Sequence, residues 1–353
     1  MKKSLLSLLA IFLVIIIGSY SIVKIFGSKN YYNTSKGSHT IVSSFYPEYI
    51  ILLNLLEDCE DINIKNMTSS ATGCLHDYQL TSADMKVLDH ADGFVINGGG
   101  MEPFLDDIKK SYPKLNIMDS SKNIKLLENY ISHEHDEDLD DKALDDEHVH
   151  TKNCQHNSHE EKDDEEDDKH VHTKDCEHNH GKYNAHIWLN PDNYLIQIKN
   201  ISSKLCILYP NYKNIIAKNT KKYTSKINEL QDEISSLNKK ISKQEKKDII
   251  IFHDSFAYIA DSFNLNVVQC IEISSETSLS AGTIAHTIDE INYHNIEILL
   301  SEKQFKNTIA NNISKETDAK VYVLNSLVTG DNNKDSYIDG MNENIENIKE
   351  IFS

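Results

Sequence analysis

A chain of 353 residues with 39% hydrophobic side chains carries enough apolar material for more than one core, which excludes a wholly unfolded chain. Its formal net charge of −19 is concentrated, since residues 133–180 hold 19 Asp and Glu against 5 Lys, leaving the rest of the chain only mildly acidic. That balance excludes a nucleic-acid partner, because neutralising phosphates takes clustered Lys and Arg, and it favours cations instead.

Met1-Lys2-Lys3 precedes an apolar run from Leu5 to Val23, the pattern of an export signal. The run approaches the length that spans a bilayer and exceeds the apolar core of most cleaved signals, which favours an uncleaved membrane anchor. Ser19-Tyr20-Ser21 also offers a small-x-small cleavage site. Residues 1–38 are therefore expected to be signal or anchor plus a polar spacer, with the remainder on the extracytoplasmic side of the membrane. Six cysteines, at 59, 74, 154, 176, 206 and 270, are too sparse for a disulfide-stapled module, and Cys206 and Cys270 are expected in the core.

From His39 onward short β-rich runs alternate with amphipathic ones: HTIVSSFY, PEYIILLNLLED, INIKNMTSS, HADGFVING and LNIMDS. This is the rhythm of a parallel sheet covered by helices, and it predicts an N-terminal α/β lobe over 39–210. Within that lobe residues 133–180 form an acidic insertion containing a duplication, HVHTKNCQHNSH followed 22 residues later by HVHTKDCEHNH. The intervening EEKDDEEDDK cannot bury apolar surface to offset its ordering entropy, so a disordered loop is expected. Each copy offers four N/S donors, His148, His150, Cys154 and His156, then His170, His172, Cys176 and His178. Such a set can wrap one zinc ion while the surrounding carboxylates raise the local cation concentration. Because ordering the loop around metal costs entropy, it is expected to be a secondary site, for capture, hand-over or sensing.

Tyr223, Ile227, Leu230, Ile234, Leu237 and Ile241 recur at helical spacing in a stretch free of Pro and Gly. They predict one long connecting helix over 211–246, capped by Asn211 after Pro210. Under three heptads of apolar seam favours packing on its own lobes over self-association, hence a monomer. The βα rhythm resumes over 247–353 with DIIIFHDSF, NLNVVQCIEI, IEILLSEKQF and AKVYVLN. Two parallel-sheet α/β lobes joined by one long rigid helix follow, with ligands expected in the cleft where strand ends converge.

His76, His186 and His253 each stand at or just beyond a predicted strand. Three imidazoles from separated segments suit zinc and make the open shell of a reversibly held ion. The motifs around them, GCLHDYQLTSAD, HIWLNPDNY and FHDSFAYIADSFNL, together with ADGFVINGGGMEPFLDDI and KETDAKVYVLNSL, resemble those of the metal-binding solute receptors of zinc and manganese ABC importers, the ZnuA-like family. The resemblance spans roughly residues 39–353, with Asn190 where the family commonly has Asp. It implies that His76, His186 and His253 are the metal ligands and that the partners are an ABC permease and its ATPase. Manganese receptors of the family resemble this chain but place Glu at the His253 position, so the resemblance favours Zn2+, with Mn2+ as the alternative. For the fourth ligand, water, the Asn325 amide oxygen and Asp331 stay open, because Asn325, Ser326 and Val328 stand where relatives often supply Asp, Glu or His. Glu48 and Glu272 are further cleft candidates. The function so implied is a high-affinity extracytoplasmic zinc receptor; the alternatives are a manganese receptor of the same class or a zinc-dependent surface interaction protein. No HExxH helix or GxSxG elbow accompanies the histidines, so binding without catalysis is expected.

Overall fold

A computed structural model of the protein describes residues 39–68, 75, 78–130, 182–271, 279–304 and 307–353. The N-terminal apolar run, the histidine-rich insertion with its eight candidate ligands, His76 and Glu272 lie outside the described residues.

The first lobe is a parallel sheet of β1 (His39–Ser43), β2 (Ile62–Asn66), β3 (Gly93–Ile96) and β4 (Asn116–Asp119) in the order β2-β1-β3-β4. Its helices include α1 (Tyr46–Leu55), α2 (Ser82–Leu88), α3 (Leu105–Ser111) and α4 (Pro191–Leu208). The second lobe repeats the plan with β5 (Asp248–Ile251), β6 (Asn266–Cys270), β7 (Ile298–Glu302) and β8 (Lys320–Leu324), ordered β6-β5-β7-β8 and again all parallel. Helix α5 (Lys213–Ile241) lies between the lobes in sequence, and α6 (Ala257–Phe263), α7 (Ala281–His294), α8 (Thr308–Glu316) and α9 (Ser336–Ile351) cover the second sheet.

Composition explains which strands sit in the middle. GFVI of β3 and ILLSE of β7 are buried throughout, as strands covered on both faces must be, whereas the edge strands β2, β4, β6 and β8 keep partly exposed positions. In each sheet the strand order reverses between the two central strands, β1/β3 and β5/β7, so a crevice opens at their carboxyl ends.

Helix α5 runs 29 residues, about 44 Å at 1.5 Å per residue. It buries Ile216, Tyr223, Ile227, Leu230, Ile234, Leu237 and Ile241 along one stripe. Toward its start, the Asn219 amide donates to the carbonyls of Leu55 and Glu57 in the first lobe. Further on, Lys349 of α9 pairs with Glu233, and the Asn238 amide donates to the Ser262 carbonyl of the second lobe. The helix starts later than expected and without the Asn211 cap: Pro210–Tyr212 form a 3-10 turn, and the residue preceding α5, Tyr212, makes no side-chain cap. The turn satisfies the first backbone groups by itself, since the Tyr212 amide donates to the Tyr209 carbonyl.

A second tie runs from β8 to α9. Along it the Trp188 indole donates to the Ser326 carbonyl at 2.8 Å, the Tyr46 hydroxyl to the Asp331 carbonyl at 2.5 Å and the Asn54 amide to the Lys334 carbonyl at 2.7 Å. Lys334 also pairs with Glu57, and Tyr337 stacks on Tyr194 with ring centroids 3.6 Å apart. Gly330 is required there, because a Cβ would come within 2.6 Å of the Tyr46 hydroxyl. Cys206, near the end of α4, and Cys270, the last residue of the edge strand β6, are half-buried against the core rather than within it; among the described residues Cys59 is the buried thiol.

Ile227→Ala on α5 should cost about 2–5 kcal/mol of stability by opening a cavity at a fully buried position, whereas Glu229→Ala two residues away should stay within about 0.5 kcal/mol. Urea unfolding of the two variants checks the contrast.

Candidate metal centre

His186 reaches the crevice from a segment that first rejoins the first lobe. Tyr183 makes an antiparallel bridge to Glu128, and the Asn184 amide donates to the Leu127 carbonyl at 2.9 Å. His186 then begins a 3-10 turn, Ile187–Leu189, whose three side chains are buried. The next residue, Asn190, caps α4 by accepting from the Asp192 and Asn193 amides, the task an Asp would perform equally. Its amide also donates toward Asp261 of the second lobe at 3.4 Å, where an Asp would set two carboxylates against each other.

His253 comes from the opposite side, two residues beyond β5, with extended backbone at the start of the 3-10 turn Asp254–Phe256. Both imidazoles are buried, at 2% and 4% relative exposure, and their centroids stand 5.0 Å apart at 73°. Two imidazoles sharing one tetrahedral ion at about 2.1 Å bring their ring centres to about 5 Å, so the pair has the spacing of two ligands on one metal.

The tautomer of His186 follows from its neighbour. The Asn184 amide nitrogen donates to both the carbonyl and a carboxylate oxygen of Asp254, each at 2.8 Å, which makes the other terminus of the side chain its oxygen. That oxygen accepts the His186 backbone amide and contacts His186 Nδ1, both at 2.9 Å. Nδ1 therefore carries the proton, and Nε2 holds the lone pair that a metal requires. The carbonyl of Asn184 in turn accepts the Tyr258 hydroxyl at 2.8 Å. On His253, Nδ1 lies 2.6 Å from the Ser255 hydroxyl and 3.2 Å from the carboxylate of Glu302, the last residue of β7.

Among the described residues, no group of three or more His, Cys, Asp or Glu side chains is arranged to hold a metal, so this pair calls for a further donor. Asn325 is engaged within its own lobe: its Oδ1 accepts from the Leu327 amide at 2.9 Å and the Gln304 amide at 3.1 Å. Asp331 is exposed, and its carbonyl serves the interlobe tie. Val328 is a buried apolar residue.

Glu48, a cleft candidate from the sequence, is fully buried in the first turn of α1, accepting from Gln197 at 3.2 Å. Burial, and then the neighbouring Glu102, push its carboxyl well above the usual range. Glu102 is raised to about 7 by burial, against the lowering effect of hydrogen bonds from the Ser44 hydroxyl and the Asn97 and Gly98 amides. The two acids form a polar layer behind the strand ends of the first lobe, tied by Asn97 to the Ala185 carbonyl beside His186. Asn184, Asp254 and Glu302 were missed by the sequence reading; the only local signal was Asp254 within FHDSF.

Asn184→Ala removes the acceptor that holds the His186 ring and leaves Asp254 without this donor. It should lower metal affinity by about 10–100-fold, the usual consequence of losing an outer-shell partner. Competition against a chromophoric chelator measures it.

The chain is similar to known proteins in sequence and in fold. High-affinity zinc uptake system protein ZnuA of Bacillus subtilis (strain 168) is 28% identical over 323 residues, covering 90% of this chain and 88% of that protein. Zinc-binding protein AdcA of Streptococcus pyogenes serotype M3 is 24% identical over 295 residues, 83% of this chain; the chain spans about half the length of that curated relative, 51%. Among solved structures, the solute-binding protein FpvC of Pseudomonas aeruginosa in complex with Mn2+ superposes with a TM-score of 0.67 at 20% identity, over 89% of this chain and 99% of that one, a likeness of fold. Residues 41–351 match the family described as zinc-uptake complex component A, periplasmic, and the chain belongs to that family.

Proposed function

We propose that this protein is an extracytoplasmic zinc receptor that captures Zn2+ between its lobes and passes it to an ABC-type importer, a membrane permease driven by a separate ATPase. The observation that carries the reading is the buried pair His186 and His253, one from each lobe, at the spacing of two ligands on one tetrahedral ion. His76 supplies the third imidazole, and a water completes the shell, since Asn325 already spends its oxygen on two donors. The names of the Bacillus subtilis and Streptococcus pyogenes relatives, both zinc proteins, support the choice of ion. The Mn2+ held by FpvC keeps manganese as a second reading, which a shell of neutral nitrogens disfavours because Mn2+ prefers oxygen donors.

The protein performs no chemistry on its cargo; the residues hold the ion and let it go. The N-terminal apolar segment keeps the receptor at the membrane. The duplicated donors His148, His150, Cys154, His156, His170, His172, Cys176 and His178 form a secondary, weaker zinc store. Residues 211–246, built around helix α5 (Lys213–Ile241), act as the rigid connector, which confines release to local shifts at the site.

Removing residues 133–180 should leave one tightly held Zn2+ per chain by metal analysis. Adding His253→Ala to that variant should weaken the ion by more than the about 10–100-fold of an outer-shell change. Retention of one tight zinc without His253 would overturn the assignment.

A further inference from the structure

The geometry points to Glu302 as the positioning residue that fixes the metal-binding tautomer of His253. This deepens the zinc-receptor reading and rests on it.

Glu302 ends β7, the central strand beside β5, so the topology carries its side chain to the same sheet edge as His253. The register of β7 on β8 pairs Glu302 with Leu324, and the next amide, Lys303, donates to the Leu324 carbonyl at 2.8 Å. The backbone under the carboxylate is thereby held. Glu302 is 3% exposed, and one of its oxygens lies 3.2 Å from Nδ1 of His253, which is 4% exposed. The lysine next to it in sequence is turned away, pairing with Glu343 at 2.6 Å.

Two polar groups among the described residues stand near Nδ1 of His253, and they differ in what they can specify. The Ser255 hydroxyl, at 2.6 Å, both donates and accepts, so on its own it suits either tautomer. A carboxylate only accepts. Facing Nδ1, it favours the proton there and leaves the lone pair on Nε2, toward the ion. It also makes that nitrogen a better donor, because partial negative charge behind an imidazole raises its basicity. The arrangement mirrors that of His186, whose Nδ1 is held by Asn184 and, behind it, the Asp254 carboxylate. Each described ligand thus has a buried acid on its far side, and in His253 the acid is in direct contact. Zn2+ bound by neutral imidazoles would otherwise carry its full charge into a buried crevice, at high desolvation cost.

The test uses the full chain, with Zn2+ titrated against a chromophoric chelator and Co2+ as a spectroscopic probe. Glu302→Gln keeps the shape and removes the charge. It should lose about 10–100-fold in Zn2+ affinity and shift the visible bands of the Co2+ form, while the thermal unfolding of the metal-free protein stays unchanged. Glu302→Asp should recover part of the affinity, and Ser255→Ala should cost less than Glu302→Gln. A Glu302→Gln affinity within about twofold of the parent chain, or a larger loss from Ser255→Ala, overturns the inference. Should the Gln variant fail to fold, Glu302→Asp carries the comparison: an intermediate loss supports the role and parent-like affinity refutes it. His253→Ala is measured alongside. If it leaves the tight site intact, the zinc-receptor reading fails, whereas loss in His253→Ala with none in Glu302→Gln sinks only the role of Glu302.

Discussion

The side chain of Asn184 spends its hydrogen-bonding capacity at the boundary between the lobes, and the candidate centre depends on it. Its oxygen holds the backbone and ring of His186, its nitrogen holds the carbonyl and carboxylate of Asp254, and its own carbonyl receives the Tyr258 hydroxyl. Asp254 directly follows His253, so one amide locates both histidines relative to each other. A buried amide fully engaged in this way is stabilising in place and costly to disrupt, about 1–3 kcal/mol for each group left unsatisfied.

That local lock would be of little use if the lobes slid past each other. Two long-range ties prevent it: α5, anchored to the end of α1 near its start and to α6 and α9 further along, and the segment between β8 and α9 draped over α1. Tyr194 and Tyr337 stack beneath the crevice, and the Tyr337 hydroxyl donates to the Trp188 carbonyl two residues from His186. Opening such a structure as a hinge would break buried hydrogen bonds and aromatic packing together. On the zinc-receptor reading, the motion that releases the ion would fall to the segments that carry the histidines instead of to the lobes.

The scaffold was legible because it obeys periodicities. The stripe from Tyr223 to Ile241 reads as a helix at 3.6 residues per turn, and the runs DIIIF and IEILLSE read as strands buried on both faces. His186 and His253 were legible through their surrounding motifs. Glu302 and Asn184 were not, because their roles are set by proximity across the fold: Glu302 is 49 residues from His253, and Asn184 is 70 from Asp254. No spacing rule in a single chain links such pairs. The surroundings of Glu48 were hidden for a related reason: FYPEYI does not announce that the helix beginning at Tyr46 turns the carboxylate beneath α4 onto Gln197, 149 residues away.

On the zinc-receptor reading, these buried acids resolve a conflict between charge and selectivity. A dication entering a crevice of neutral donors needs negative charge nearby, yet a carboxylate in direct coordination would harden the shell toward ions that prefer oxygen. Placing the acids behind the imidazoles separates the two demands. Asp254 acts through Asn184 on His186, and Glu302 sits against His253, so the donors facing the ion remain nitrogen while the compensating charge lies one group further out. Asn184, Asp254 and Tyr258 are tied to one another by hydrogen bonds of the fold itself, so on that reading ion binding would cost little ordering entropy at this part of the site.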